Sequence, residues 1–141
     1  MEPSVIFERR ISWHDWRLVG FRPIDLASSA GRYWLDFCRR YGDIRVHFYD
    51  DYVLAQLTER NGQIQIPVVI PYSEVYLEHK GDLSRIRMQH PEEYIVLPIS
   101  EKNLTRGSFD DLIKAISEGV QRETNRSIAR GFEIGPQYYT E

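Results

Sequence analysis

The residues best suited to chemistry form a short motif near the middle of the chain. Glu78-His79-Lys80 has the Glu-x-Lys spacing of a nuclease site and ends a predicted strand. With Asp50 or Asp51 from an upstream turn, Glu78 would bind Mg²⁺, and Lys80 would polarise a phosphate. A motif of only three residues often occurs by chance, and the predicted Asn61-Gly62 hairpin lies between the aspartates and Glu78. We therefore favour an exposed strand end and keep a metal-dependent nuclease with Asp51, Glu78 and Lys80 as the alternative.

Nucleophilic and zinc chemistry have weaker candidates. Cys38 with a histidine base would be a nucleophile, but it lies on the apolar stripe of a predicted helix. A buried small hydrophobic residue is the better interpretation. The histidines are far apart in sequence, and one cysteine cannot build a thiolate cluster for zinc. They are His14, His47, His79 and His90. We expect no metal site and no cofactor.

Aromatic and arginine residues are concentrated near the N-terminus. This cluster consists of Arg9, Arg10, Trp13, Trp16, Arg17 and Arg22. Trp13 and Trp16 are three residues apart, so on a helix they share one face. Exposed aromatic rings interleaved with arginines would fit nucleic acid, whereas tryptophans packed on a sheet would leave only solvated arginines. If the rings are exposed, a protein partner fits equally well, because Trp, Tyr and Arg are typical interface anchors.

The C-terminal residues 127–141 are polar but carry several aromatic rings, including Tyr138 and Tyr139. Unstructured ends usually avoid aromatic residues, so we expect this tail to dock either on its own domain or on a partner. Together these features assign partner binding to six residues. They are Trp13, Trp16, Arg17, Arg22, Tyr138 and Tyr139.

Composition limits the class of protein. The chain has 141 residues, of which 42% are apolar and 28% charged, which is typical of one globular domain that needs no disulfide or metal to fold. The net charge of −3 argues against a nucleic acid partner. The single cysteine indicates a reducing compartment, which we take to be the cytoplasm. No window approaches the 18 or more apolar residues of a membrane span.

The N-terminal part should contain one strand and one helix. Val5 to Ile11 has a strand pattern, and Ser12 has the spacing of a capping box for a short helix or turn. Leu26 to Tyr41 carries an apolar stripe with helical period, and Gly42 lies where a C-terminal cap belongs. The stripe comprises Leu26, Ala30, Tyr33, Trp34, Phe37, Cys38 and Tyr41.

From residue 44 the apolar period changes to two, which predicts short antiparallel strands joined by hairpins. Asp50-Asp51 and Gly81-Asp82 are turn signals, and Asn61-Gly62 predicts a type I′ hairpin. Pro67 and Pro71 place the next strand at a sheet edge or interrupt it. Further strands should cover Glu74 to Lys80, Arg85 to His90 and Tyr94 to Pro98. Ser108 then caps a helix that should run to about Glu123 and cover the sheet.

These elements predict a single α+β domain with a curved antiparallel sheet or partly open barrel, closed by the C-terminal helix. An additional amphipathic helix lies in the N-terminal part. We divide the chain into an N-terminal strand and helix (1–43), a sheet-and-helix body (44–123) and a C-terminal tail (124–141).

The body resembles a known family. The segments VHFYDDYVLAQLTERNGQIQIP, IPYSEVYLEHKGDLSRIRM and IVLPISEKNLTRGSFDDLIKAI follow the pattern of the pleckstrin-homology-like domain of the bacterial YcxB-like family. The resemblance covers residues 44–121. Tyr72 replaces the family's Trp, and an amphipathic helix occupies the place of its two membrane spans. The resemblance implies a barrel capped by a helix, but no activity, because such folds host many functions.

The sequence thus predicts a non-catalytic interaction or scaffold module whose specific function lies in the aromatic flanks, with self-association into an oligomer as one form of that interaction. A protein partner or a second copy is expected, and no nucleic acid.

Overall fold

The structure is a computed structural model that describes residues 1–15, 27–62, 64–91 and 93–129. Within these ranges the chain forms two antiparallel sheets and two α-helices, which confirms the predicted α+β class. The strands are β1 Val5–Arg10, β2 Tyr41–Phe48, β3 Val53–Glu59, β4 Gln65–Ile70, β5 Val75–Lys80, β6 Leu83–Gln89, β7 Tyr94–Pro98 and β8 Leu104–Arg106. The helices are α1 Ser29–Arg40 and α2 Phe109–Ala129. Three short 3-10 helices cover Trp13–Asp15, Tyr72–Glu74 and Glu101–Asn103.

The first sheet has five strands in the order β4-β3-β2-β1-β8. Its inner face follows from the alternation of apolar residues. Phe48 pairs with Val53 and Val46 pairs with Ala55, and all four are fully buried. The opposite face of the same strands carries mostly polar or half-buried side chains. The period of two in the sequence predicted β2 and β3 correctly.

Strand β4 is an edge of the five-stranded sheet, as its proline predicted. Pro67 lies opposite Gln56 of β3 and has no N–H to donate. An edge position tolerates this residue because only one side of the strand needs a complete ladder of hydrogen bonds. The strand begins at Gln65 and ends at Ile70, directly before Pro71.

The β3–β4 hairpin forms, but its predicted type I′ turn is wrong. Glu59 N donates to Ile64 O at 2.8 Å, so the closing pair encloses four positions instead of two. Gly62 does not have a positive φ, which a type I′ turn would require. The longer loop lets Arg60 reach back to the N-terminal part, where its N–H donates to Arg40 O at 2.9 Å.

The second sheet has three strands in the order β5-β6-β7. Ile86 pairs with Leu97 and Met88 pairs with Ile95, and these four side chains are fully buried. Gly81, in the predicted turn between β5 and β6, has a φ of 61°, a conformation that favours glycine.

Helix α1 begins at a serine cap and runs directly into β2. Ser28 Oγ accepts a hydrogen bond from Gly31 N at 3.1 Å. Trp34, Phe37 and Cys38 are buried, which confirms the central part of the apolar stripe. Leu26 lies outside the described residues.

The predicted cap at Gly42 is wrong. The residue after α1 is Tyr41, which has extended backbone angles and already belongs to β2. Arg60 takes over the role of the cap, because its Nε donates to Cys38 O at 3.0 Å in the last helical turn.

Helix α2 begins at the predicted capping box. Asp111 N donates to Ser108 Oγ at 3.2 Å, and Ser108 N donates to an Asp111 carboxylate oxygen at 2.9 Å. The helix continues to Ala129, beyond the predicted end at Glu123. The body of the fold is therefore longer than residues 44–123.

Helix α2 packs on the connection between the two sheets. Glu123 accepts hydrogen bonds from Tyr72 N at 2.5 Å and Ser73 N at 2.9 Å, so its carboxylate caps the 3-10 helix Tyr72–Glu74. The Tyr72 ring is buried against Gly119, and its hydroxyl donates to Tyr49 O. Tyr72 is thus a core residue that joins the two sheets and α2.

Candidate functional site

Of the six predicted partner-binding residues, Trp13 is the one that lies within the described ranges. It follows shortly after the end of β1. The chain makes a 3-10 turn over Trp13–Asp15, in which His14 N donates to Ser12 Oγ at 3.3 Å. Trp13 remains 48% exposed, and its ring lies against the His14 ring at a centroid distance of 3.9 Å.

Two side chains from elsewhere in the fold hold this turn. Trp34 of α1 donates from Nε1 to the carbonyl oxygen of Trp13 at 3.4 Å. Arg9 of β1 binds the Asp15 carboxylate at 2.5 Å and also donates to Pro98 O of β7 at 2.5 Å. The turn that carries the exposed ring is therefore held by contacts with α1 and with one strand from each sheet.

An open groove of about 830 Å³ lies beside the Trp13 ring. We call it the Trp13 groove. The described residues that line it are Ile11, Ser12, Trp13, His14, Leu35, Cys38, Arg39, Arg60 and Asn61. The groove thus combines the end of β1, one face of α1 and the β3–β4 loop, three segments that are distant in sequence.

The positive charges at the groove differ in how they are engaged. Arg60 donates to three carbonyl oxygens, those of Cys38 and Ile11 at 3.0 Å and of Tyr41 at 3.1 Å. It therefore serves mainly to hold the groove together. Arg39 has a looser contact, at 3.7 Å to Asp36, and both side chains are more than three-quarters exposed. Such an exposed pair contributes little, so Arg39 is free to contact a partner.

Cys38 lines the groove but is a packed side chain, as predicted. It is 5% exposed, and burial raises the pKa of its thiol to about 12, although the nearby Arg60 charge opposes this. A thiol with so high a pKa stays protonated and is a poor nucleophile.

The remaining residues of the predicted binding set lie outside the described ranges. They are Trp16, Arg17, Arg22, Tyr138 and Tyr139. Their assignment to partner binding stays a prediction.

The residues of the alternative nuclease site are divided between the two sheets. Asp51 lies in the β2–β3 turn of the first sheet and binds Arg126 at 2.7 Å. Glu78 lies on β5 of the second sheet and binds Arg85 at 2.9 Å and Arg87 at 3.2 Å. Lys80 shares a face of β5 with Glu78, because the two residues are two positions apart.

The carboxylates of this alternative are engaged by arginines. Burial raises the pKa of Glu78, but hydrogen bonds from Arg87 and Arg85 lower it by more, and the pKa lies below its ordinary value. Among the described residues, no group of three His, Cys, Asp or Glu side chains is arranged to hold a metal ion. The nuclease hypothesis stays a prediction to which this geometry adds no support.

Most of the residues that line the groove could not be predicted from the sequence. The arginine and tryptophan cluster pointed to Trp13, but nothing local in the sequence placed Arg60 and Asn61 beside it. The only available signal was the Asn61-Gly62 turn, which places a hairpin tip there without showing what it contacts.

No protein-family model matches this sequence, and no curated protein or solved structure is significantly similar to it. The YcxB-like resemblance therefore stays a prediction. Within the described residues, neither helix has the length and apolar composition that crossing a membrane requires.

Proposed function

We propose that this protein is a non-catalytic interaction module that binds a protein partner, or a second copy of itself, through the Trp13 groove. The observation that carries the proposal is the exposure of Trp13. It is 48% exposed, whereas Trp34, which supports it, is 4% exposed. Tryptophan offers a large apolar area that favours contact with another molecule, and it is among the residues that most often dominate binding energy.

The contacts that hold the backbone around Trp13 support the same proposal. Binding costs the conformational entropy of each side chain that it immobilises. The backbone of Trp13 is held by Trp34, and the turn that carries it is held by Arg9 through Asp15. The backbone that presents the ring is therefore already ordered before a partner binds, so more of the contact energy contributes to affinity.

The surroundings of the ring have the character of a protein interface. Such interfaces combine aromatic and arginine residues with a polar rim. Here the Trp13 and His14 rings lie beside Leu35, with Arg39 and Asn61 at the same groove.

The topology also supports a module of the resembled kind. Strands β1 to β4 are neighbours in the first sheet in chain order, with α1 between β1 and β2, and β5 to β7 form the second sheet; β8, which pairs with β1, and then α2 follow. A pleckstrin-homology-like domain would share the order of four strands, three strands and a helix. Such a domain implies a scaffold for binding surfaces and no particular chemistry. The single cysteine supports a cytoplasmic location as part of the proposal.

Photo-cross-linking from the groove tests the proposal directly. A photoreactive phenylalanine derivative at position 13 should give one discrete adduct in cells that express the protein. The same group at position 113 is the control, because Ile113 is similarly exposed, at 47%, but lies on α2. An adduct of twice the chain mass identifies the partner as a second copy, and a heavier or lighter adduct identifies another protein.

Affinity then measures the contribution of the ring. For the cross-linked partner, Trp13→Ala should weaken binding by roughly 30-fold or more, which corresponds to about 2 kcal/mol, the scale of an interface hot spot. Ile113→Ala should leave the affinity unchanged. The absence of a discrete adduct from position 13, or equal affinities for wild type and Trp13→Ala, would refute the proposal.

A further inference from the structure

A second surface lies on the outer face of the five-stranded sheet, far from the Trp13 groove. Four residues face one another directly across β1, β2, β3 and β4: Ile6 pairs with His47, His47 with Leu54, and Leu54 with Val69. Their neighbours in each strand point to the buried inner face. Two tyrosines, Tyr49 and Tyr52, flank this row at the β2–β3 turn. We call these six residues the outer strip.

The outer strip is apolar, although it faces away from the core. Val69 is 56% exposed and Tyr52 is 39% exposed. The next row on the same face is polar and contains Glu8 and Arg45, which form an ion pair at 3.1 Å. The apolar residues are therefore confined to the end of the sheet nearest the β2–β3 turn. An apolar surface bounded by polar residues is typical of a contact surface.

His47 does not introduce charge into the outer strip. Its Nδ1 lies 3.2 Å from the Tyr49 hydroxyl, and the two rings meet edge to face at 5.9 Å. Burial, together with the Arg45 charge, lowers the pKa of His47, so the ring is neutral at neutral pH. Its Nε2 is buried and has no hydrogen-bond partner among the described residues.

The C-terminal end of helix α2 lies at the β2–β3 turn, which is flanked by the two tyrosines of the outer strip. Arg122 Nε donates to Asp50 O at 3.0 Å, and Arg126 donates to the Asp51 carboxylate at 2.7 Å. Both acceptors belong to the β2–β3 turn, between Tyr49 and Tyr52. The last turns of α2 are therefore fixed beside the tyrosines of the outer strip.

We propose that the C-terminal segment 130–141 docks on the outer strip of its own chain. The segment carries Phe132, Ile134, Tyr138 and Tyr139, which supply apolar side chains for an apolar surface. Extended at about 3.3 Å per residue, it reaches roughly 40 Å. The outer strip crosses four strands, or about 14 Å. The segment can therefore span the whole strip from the end of α2.

The short connection favours docking within one chain over docking between two. A segment tethered beside its binding surface has an effective concentration in the millimolar range. Even a weak contact is then occupied, whereas the same contact between separate chains at micromolar concentration is not. This inference is independent of the Trp13 groove, because no residue is shared between the two surfaces.

Methyl NMR on the full-length chain tests the inference. The methyl signals of Ile6, Leu54 and Val69 should move when Tyr138→Ala and Tyr139→Ala are combined, because the aromatic rings no longer lie against them. The methyl signals of Ile113, which lies near the other end of α2, should not move. The control combines Gln137→Ala with Thr140→Ala, which changes polar residues of the same segment and should leave the outer strip signals in place.

A substitution on the other side of the contact completes the test. Val69→Lys places a charge on an exposed edge-strand position, so it should preserve the fold and release the segment. The Ile6 signals, which come from the strand of the row farthest from position 69, should then move as they do in the tyrosine variant. Outer strip signals that stay unmoved in both variants would overturn the inference. Shifts that vanish on dilution, with contacts between labelled and unlabelled copies, would also overturn it in favour of docking between two chains.

Discussion

Replacing Gly119 by alanine tests how closely α2 packs on the connection between the two sheets. A Cβ at Gly119 would lie 2.6 Å from Cδ1 of Tyr72, and Cγ and Cδ2 of the same ring would be closer still. Carbon atoms pack at about 3.5–4.0 Å, so the ring and the helix must separate by roughly 1 Å. The ring is poorly able to move, because Glu123 holds the Tyr72 backbone and Tyr49 O binds its hydroxyl.

Two effects of opposite sign determine the stability of Gly119→Ala. Alanine is favoured over glycine inside a helix by about 1 kcal/mol. Overpacking of a buried site costs about 1–3 kcal/mol, and sometimes more. Since three atoms of a fixed ring are involved, we expect a cost at or above the upper end of that range. The net loss should be about 2 kcal/mol, which lowers Tm by roughly 6–10 °C in a chain of this size.

Urea unfolding followed by far-UV circular dichroism measures this loss. Ser117→Ala, on the exposed side of the same helix, is the matched control and should change the free energy of unfolding by less than about 0.5 kcal/mol. In a Tyr72→Ala background the ring is absent, so Gly119→Ala should become neutral or stabilising. Gly119→Ala as stable as wild type in the presence of Tyr72 would show that the packing argument is wrong.

Two further predictions follow from the titratable groups. Glu78 has a pKa below its ordinary value of about 4.3 in the folded chain; its contribution to stability should be complete above about pH 5 and lost as the pH falls below about 4. Urea unfolding at several pH values measures the difference in unfolding free energy between wild type and Glu78→Gln. This difference should become smaller in acid, and a difference that grows there would contradict the lowered pKa of Glu78. Cys38, whose pKa is raised to about 12, should react with Ellman's reagent at pH 8 only as the protein opens. Fast, complete labelling of the native protein would contradict its burial.

The sequence predicted most of the strands because the apolar period carries local information. Val53, Ala55 and Leu57 recur at every second position, and the structure buries all three. Pro67 correctly indicated an edge strand for the same local reason, since a missing N–H restricts any sheet in which it lies.

Features that depend on distant partners were missed. Strand β8 has only three residues, and it exists because Leu104 and Arg106 pair with β1 about a hundred positions earlier. Helix α2 continues past Glu123 into a polar stretch, where Arg126 binds Asp51 of a distant turn. The end of α1 depends in the same way on Arg60. Local patterning contains no information about such contacts.

The same division applies to the candidate site. Trp13 was identifiable because tryptophan and arginine cluster locally, but its exposure depends on how Trp34 and Arg9 fix the turn. The outer strip was not identifiable at all, because Ile6, Leu54 and Val69 become neighbours only through the register of four strands. Half-buried apolar residues in a period-two pattern look alike whether or not something covers them.

The Trp13 groove and the outer strip lie at opposite ends of the same strands. Ile6 belongs to the outer strip and Ile11 to the groove, and at about 3.4 Å per residue they are roughly 17 Å apart along β1. Substitutions this far apart, with no shared contacts, usually have additive effects. The loss of partner affinity in Trp13→Ala and the release of segment 130–141 in the tyrosine variant are therefore separable. A dependence of one on the other would require β1 itself to transmit the change between its two ends.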